Sequence, residues 1–390
     1  MLITLLIYLT LFFFSLGQLG RISFLGQQVN LYVYELFLFT SLASLVVKHK
    51  LKPITSTINK FKITYLFFIL LGLSFLINIF HFQALENAVS VLYLVRLTVY
   101  VACFIYLLYE AKHNKKILLT IQKGLFIFIS ITIVSSILQY FFYPNLRNLI
   151  YLGWDPHLYR LFGVFFDTST AGGVFGLILL FVFLFHKPLF KSKLINYSIL
   201  VTYFIFILLT FSRGLYLSMA VTLLLLFLKD KKLKKALILI ALFFVVGFVV
   251  IPKPFGEGVR LVRFVSIESR IKDYKNAISI WQKKPVFGVG YNRIRYVKKD
   301  FNILQEDNIN VTHSGASFAS SYLVILVSAG VIGLLLFLGV FWEWSSLGKY
   351  FVIFLGLFSL TDNIILQPFI LFLLLQILIV NSLSLSGKSQ

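Results

Sequence analysis

Long apolar runs dominate the chain, and the short polar turns between them fall at intervals that suit helices crossing a bilayer. About twelve spans are predicted, at residues 1–17, 31–47, 63–80, 89–109, 117–141, 172–186, 195–211, 215–228, 236–251, 319–342, 350–360 and 362–380. Many approach the roughly 18–20 residues that carry a helix through a hydrocarbon core about 30 Å thick. The strands of a membrane β-barrel are shorter and alternate apolar with polar positions. Two polar segments are longer, 142–171 and 252–318. Within the second, Ile267, Ile271, Tyr274, Ile278 and Trp281 recur at steps of 4, 3, 4 and 3, which sets them on one face of an amphipathic helix. Ser266 is its expected cap, and Pro285, Gly288 and Gly290 end it. The helix is expected to lie on a membrane surface, cover a cavity or pack within its own loop. The chain therefore divides into helices with short loops (1–251), a large loop (252–318) and a final helical part with a polar tail (319–390).

Composition fixes the class. Of 390 residues, 59% are hydrophobic and 17% aromatic, a balance that keeps no soluble domain of this length in solution, so the chain reads as an all-α polytopic membrane protein. The first run, MLITLLIYLTLFFFSLG, has no basic leader or small-residue cleavage site and reads as a retained helix. Cys103 is the sole cysteine, which excludes a disulfide framework or a cysteine metal site.

Charge gives orientation. The 36 Lys and Arg outnumber 14 acids, for a net charge of +22. The turns after even-numbered spans carry KHKLKPITSTINKFK, AKHNKK, KPLFKSK, KDKKLKK and Lys349, whereas the short turns on the other face carry only Arg21 and Arg213. By the positive-inside rule both termini are expected in the cytoplasm and both long segments outside. Trp342 and Trp344 then fall in the cytoplasmic aromatic belt. All ten arginines (21, 96, 147, 160, 213, 260, 263, 270, 293 and 295) lie in outward segments or spans, and the cytoplasmic turns hold lysine alone. Lysine suffices for topology and anionic lipid, while a planar fork that grips phosphate oxygens in pairs requires arginine.

Candidate chemistry follows from this sorting. Arg213, between Ser212 and Gly214 in LLTFSRGLYLSMAV, sits at an outward turn where a charge is costly; snorkelling to the interface is the plainer role. Arg160 opens RLFGVFFDTSTAGG, a segment that enters the sixth span with hydroxyls and amides suited to an anion, or it is a solvated loop residue. Arg270 lies on the amphipathic helix. Arg160, Arg213 and Arg270 brought to one outward cavity suit a diphosphate. Arg96 lies deep in span four and either pairs with an acid such as Glu35 or lines the cavity. His313, in NVTHSGASFASSYL, is a candidate base for an attacking hydroxyl, with Asp155 and Asp167 as competitors. No His-x-x-His, Asp-x-Asp or carboxylate cluster has metal spacing, and Walker and dinucleotide glycine motifs are missing, so no metal or cofactor is expected.

The stretch from about 155 to 345 resembles the O-antigen ligase and polymerase superfamily, bacterial membrane proteins that handle lipid-linked glycans. RLFGVFFDTSTAGG resembles its arginine-led approach to a helix, LLTFSRGLYLSMAV its Thr-x-Ser-Arg-Gly turn, and RIKDYKNAISIWQKKPVFGVGYNRIR its large-loop pattern; SSYLVILVSAGVIGLLLF is similar to the helix that follows. The resemblance implies a GT-C-like fold in the bacterial cytoplasmic membrane and transfer or polymerisation of a glycan from an undecaprenyl-diphosphate-linked donor. An acceptor hydroxyl, on a glycan or lipid-linked glycan, attacks the anomeric carbon with inversion and without a metal. It further implies that Arg213 and Arg270 hold the diphosphate, with Arg160 assisting; Arg96, Asp167 and Ser212 are candidate substrate-binding residues from their own positions in the chain. Two positions depart from the pattern: Ala319 stands where ligases commonly place the histidine, and Asp167-Thr168 replaces an Asn-Pro. A transporter or flippase of lipid-linked saccharide is the alternative, since twelve spans also suit secondary carriers; a membrane scaffold is a third reading.

Overall fold

The computed structural model describes residues 2–185, 192–229, 264–304 and 313–386. The ninth predicted span, Arg260, Arg263 and the side chains of Ser266, Ile267 and His313 lie outside the described residues. The described chain is mostly helical, consistent with a polytopic membrane protein. Among the described residues three helices, α5 (Ala84–His113), α6 (Lys115–Phe142) and α12 (Ser321–Thr361), are long and apolar enough to cross a membrane.

The apolar runs form helices because backbone groups in an apolar medium must be satisfied within their own segment. α1 (Leu2–Phe14) packs on α2 (Val33–His49) and α6, and α4 (Lys62–Ile77) packs on α12. A short α3 (Lys52–Thr57) lies between α2 and α4. The pair α7 (Thr168–Leu184) and α13 (Pro368–Ser386) forms the centre, with α8 (Lys193–Leu209) and α9 (Arg213–Lys229) against α7. Every residue from Phe369 to Val380 is buried, so α13 is apolar on all sides because it meets protein on all sides. Outer helices instead expose apolar stripes: Leu66, Ile69, Leu73 and Leu76 on α4, and Leu217, Leu224 and Leu228 on α9. These stripes face outward at helical spacing, as lipid contact requires.

Three features depart from the sequence reading. Residues 18–32 are no simple turn, because β1 (Arg21–Phe24) and β2 (Val29–Tyr32) form an antiparallel hairpin. The predicted spans 319–342 and 350–360 belong to one helical run, α12, which folds back on itself: Tyr322 donates to the Gly356 carbonyl at 2.9 Å and Ser320 to that of Ser359 at 2.9 Å. The backbone leaves helical geometry at Gly348, beside Lys349, so the turn lies where the charge pattern sets it.

The third concerns the large loop. α10 (Phe264–Trp281) is present, but its protein-facing side holds Arg270, Asp273, Tyr274, Ala277 and Ile280, while Ile271 and Ile278 of the predicted apolar face are exposed. Polar residues on the inward side hydrogen-bond across the interface and outweigh the apolar periodicity. Beyond it, Pro285–Gly290 lies against a second break in α12 at Gly330. Val289 and Gly290 donate to the carbonyls of Val327 and Ser328 at 2.9 Å each, and Val331 donates to that of Pro285 at 2.9 Å. Gly330 has φ +68°, and a Cβ there would lie 2.0 Å from the Val286 carbonyl oxygen, so only glycine permits the approach. Ser74 of α4 and Asn78 at its C-cap donate to the Phe287 and Gly288 carbonyls at 2.5 and 3.0 Å, so this inserted backbone is satisfied by protein.

Candidate functional site

The hairpin, α5, the 142–167 segment, α10, a short α11 (Ile294–Asp300) and the turn between α12 and α13 enclose a cavity of about 730 Å³. Its size lies within the range of small-molecule clefts. Cations lining it are Arg21, Arg96, Arg270, Lys272 and Arg295, and acids are Asp155, Asp167, Asp273 and Asp362.

Arg270 projects from α10 onto the α12–α13 turn. Its Nη1 donates to the Thr361 carbonyl and its Nη2 to Asp362 Oδ1 at 3.0 Å and Oδ2 at 3.3 Å. Burial pushes the Asp362 carboxyl up to about 6; Arg270 opposes the shift and Asp167 adds to it. Asp273, one turn along α10, accepts the Ala319 amide at 2.6 Å and pairs with Lys298 at 3.4 Å, which ties α10 to the start of α12. Lys298 is buried over the Phe318 ring, and that burial lowers its proton affinity.

Arg96 does both things the sequence left open: it pairs with Glu35 and lines the cavity. Its Nε donates to Glu35 Oε1 at 2.5 Å and its Nη1 to the Asn30 carbonyl at 3.0 Å. Glu35 also accepts the Tyr32 amide at 2.9 Å and the Tyr100 hydroxyl at 2.6 Å, so its buried charge is fully engaged. Arg96 Nη2 is buried with no hydrogen-bond partner among the described residues.

The other expected residues are placed differently. Asp167 lines the cavity as the N-cap of α7, where its Oδ2 accepts the Thr170 amide at 2.6 Å and the Thr170 hydroxyl at 2.7 Å. Its own carboxylate therefore occupies the helix terminus that was expected to meet an anion. Arg160 and Arg213 are not among the lining residues. Arg160 is buried, with Nε donating to the Thr210 carbonyl at 2.8 Å and Nη2 to that of Phe211 at 3.4 Å, so it clasps the α8–α9 turn. Ser212 is buried in that turn and accepts from Tyr216 through its carbonyl at 3.1 Å. Arg213 is the half-buried first residue of α9. A Cβ on Gly214 would lie 2.1 Å from the Thr361 hydroxyl, so this turn packs directly against the residues that hold Arg270. Convergence of Arg160, Arg213 and Arg270 in one pocket is thus replaced by contact between neighbouring turns.

His313 opens a short 3-10 turn, His313–Ala316, whose Ala316 lines the cavity; its side chain lies outside the described residues. Asp155 lines the cavity, as does His157, whose Nε2 lies 3.8 Å from Asp167 Oδ1. Among the described residues no three His, Cys, Asp or Glu side chains group as a metal site.

Asp362 and Arg295 were not singled out from the sequence. The signal for Asp362 was present, since it is the one acid within the apolar stretch from Lys349 to the C-terminus, the same kind of anomaly that marks Arg213. No curated protein matches the chain. Residues 198–338, which carry Arg213, Arg270, Arg295 and His313, match the family model described as O-antigen ligase, and this match supports placing the chain with the O-antigen ligase and polymerase superfamily.

Proposed function

We propose that this chain is a multi-pass glycosyltransferase of the bacterial cytoplasmic membrane, with about twelve spans in a GT-C-like arrangement, both termini cytoplasmic and the cavity facing outward. It transfers or polymerises a glycan from an undecaprenyl-diphosphate-linked donor onto an acceptor hydroxyl. The observation that carries this reading is the Arg270–Asp362 pair in a cavity of about 730 Å³, within a chain whose 198–338 region matches the ligase family.

In this proposal the diphosphate draws the Arg270 guanidinium, with Arg213 on the adjoining turn adding positive charge. The acceptor oxygen attacks the anomeric carbon, the bond from that carbon to the diphosphate oxygen breaks, and the configuration inverts. The acceptor proton passes to a carboxylate, and Asp362 is favoured over Asp155, Asp167 and His313. When Arg270 turns to the diphosphate, Asp362 keeps its burial and loses its counter-charge, so its proton affinity rises as the donor binds. Stabilising the departing diphosphate supplies most of the rate.

Reconstitution of the full chain with a lipid-diphosphate oligosaccharide tests this. Longer lipid-linked chains identify a polymerase, and transfer to a second acceptor identifies a ligase. Translocation of the lipid without new glycosidic bonds rejects the reading in favour of a flippase.

A further inference from the structure

Besides Arg270, which serves the diphosphate in the proposed function, a second cationic group lies in the cavity. Arg21 of the hairpin, Arg96 of α5 and Arg295 of α11 all line it. Arg96 and Arg295 are each only 9% exposed. Arg96 Nη2 has no partner, and Arg295 has no hydrogen bond or carboxylate among the described residues. A buried charged donor left unmade is costly, so such a group in the wall of a cavity calls for an occupant that completes it.

The acids of the cavity do not fill this need. Asp167 caps α7, Asp273 holds Ala319 and Lys298, Asp362 holds Arg270, and Asp155 makes no ion pair with Arg96 or Arg295 among the described residues; Glu35, which is not among the lining residues, is spent on Arg96 Nε, Tyr32 and Tyr100. The cationic group is also rigidly built. The Tyr93 hydroxyl donates to the Gln28 carbonyl at 3.1 Å and accepts the Asn30 amide at 3.2 Å, and Tyr296 beside Arg295 donates to Gln28 Oε1 at 3.0 Å. Aromatic faces surround it: Arg96 lies 5.1 and 5.6 Å from the Tyr32 and Tyr93 ring centres, and Arg21 lies 5.3 Å from that of Trp154. Flat rings with polar rims beside planar guanidinium forks suit a sugar ring bearing a carboxylate.

We propose that Arg96 and Arg295, with Arg21 at their side, form a subsite for an acidic sugar, gripping the carboxylate of a uronate residue in the glycan. The proposal rests on the glycosyltransferase reading and narrows it to anionic glycans.

The test is binding of three probes to the full chain in nanodiscs: a glucuronate-containing tetrasaccharide, its carboxyl-reduced neutral counterpart, and inorganic pyrophosphate. The acidic saccharide should bind at least about tenfold tighter than the reduced one, the difference expected of a charge-assisted hydrogen bond. Arg295→Gln should abolish that preference and leave pyrophosphate binding unchanged, and Arg270→Gln should do the reverse. Arg295 is chosen because no ion pair depends on it, whereas Arg96→Gln strands Glu35; reduction of the ligand needs no variant at all. Equal binding of both saccharides, or binding of neither, overturns the proposal. So does an Arg295→Gln variant that weakens pyrophosphate as strongly as Arg270→Gln, which makes the group a phosphate site. If glycosyl transfer is never observed but the carboxylate preference and its loss in Arg295→Gln persist, the enzymatic reading fails and the subsite stands.

Discussion

Arg270 Nη2 lies 3.0 Å from Asp362 Oδ1, joining α10 of the large loop to the turn between α12 and α13. Because burial holds the Asp362 carboxyl near 6 in the free protein, kcat/KM for glycosyl transfer should rise with pH along a limb centred at about 6, and the limb in kcat should lie higher because the bound donor draws Arg270 away. Asp362→Asn should remove the limb and most of the activity. A limb that survives in the variant assigns the base elsewhere. Stability responds in the opposite sense. The folded carboxyl binds its proton more tightly than the ordinary value of 3.8, so this group's contribution to stability falls as pH rises from about 4 to about 6 and is level above that.

Arg213→Gln should fold normally and lose roughly tenfold or more in turnover, since it removes the positive charge that this turn adds beside the diphosphate, whereas Arg213→Lys keeps that charge and should keep most of the turnover. Turnover near that of the parent protein in Arg213→Gln refutes the role given to Arg213.

Arg160 acts through the turn it clasps. Arg160→Gln leaves the Thr210 carbonyl short of its donor and should cost about 1–3 kcal/mol of stability, read as a lowered midpoint of thermal unfolding in detergent. Inorganic pyrophosphate affinity, referred to correctly folded protein, should fall only modestly, in contrast to Arg270→Gln. An equal loss in both variants would place Arg160 on the anion itself.

What the sequence made legible is what single-residue physics controls. Apolar runs gave helices, the Lys349 turn fell at a real reversal, and Arg96, deep in an apolar span and read as either paired with an acid such as Glu35 or lining the cavity, does both. What it hid depends on partners far along the chain. The inward face of α10 was misread because Arg270 and Tyr274 find acceptors at Thr361, Asp362 and Leu360, so polar pairing set the helix rotation against its apolar periodicity. Arg160 was read toward an anion because nothing in RLFGVFFDTSTAGG shows that the carbonyls of Thr210 and Phe211 lie beside it. The hairpin at 21–32 was missed because each strand has only four residues, too few for alternation to stand out.

Gly330 offers a test of the architecture that does not depend on any reaction. Its φ of +68° is strained for any side chain, and a Cβ would meet the Val286 carbonyl oxygen at 2.0 Å. Neither side can yield easily, since the Pro285–Gly290 backbone is pinned to Val327, Ser328 and Val331 and held from α4 by Ser74 and Asn78. Gly330→Ala should therefore cost at least about 1–3 kcal/mol from backbone strain alone, with the steric overlap added. The damage should reach the cavity, because the same loop leads directly into Tyr291, Asn292 and Arg295 of its lining. The expected readout is a lower unfolding midpoint together with weakened binding of the acidic tetrasaccharide. Gly72→Ala on α4, where nothing lies within 4 Å of the added carbon, serves as the control and should neither lower the midpoint nor weaken binding. Parent-like stability in Gly330→Ala would mean that the loop does not insert at the helix break.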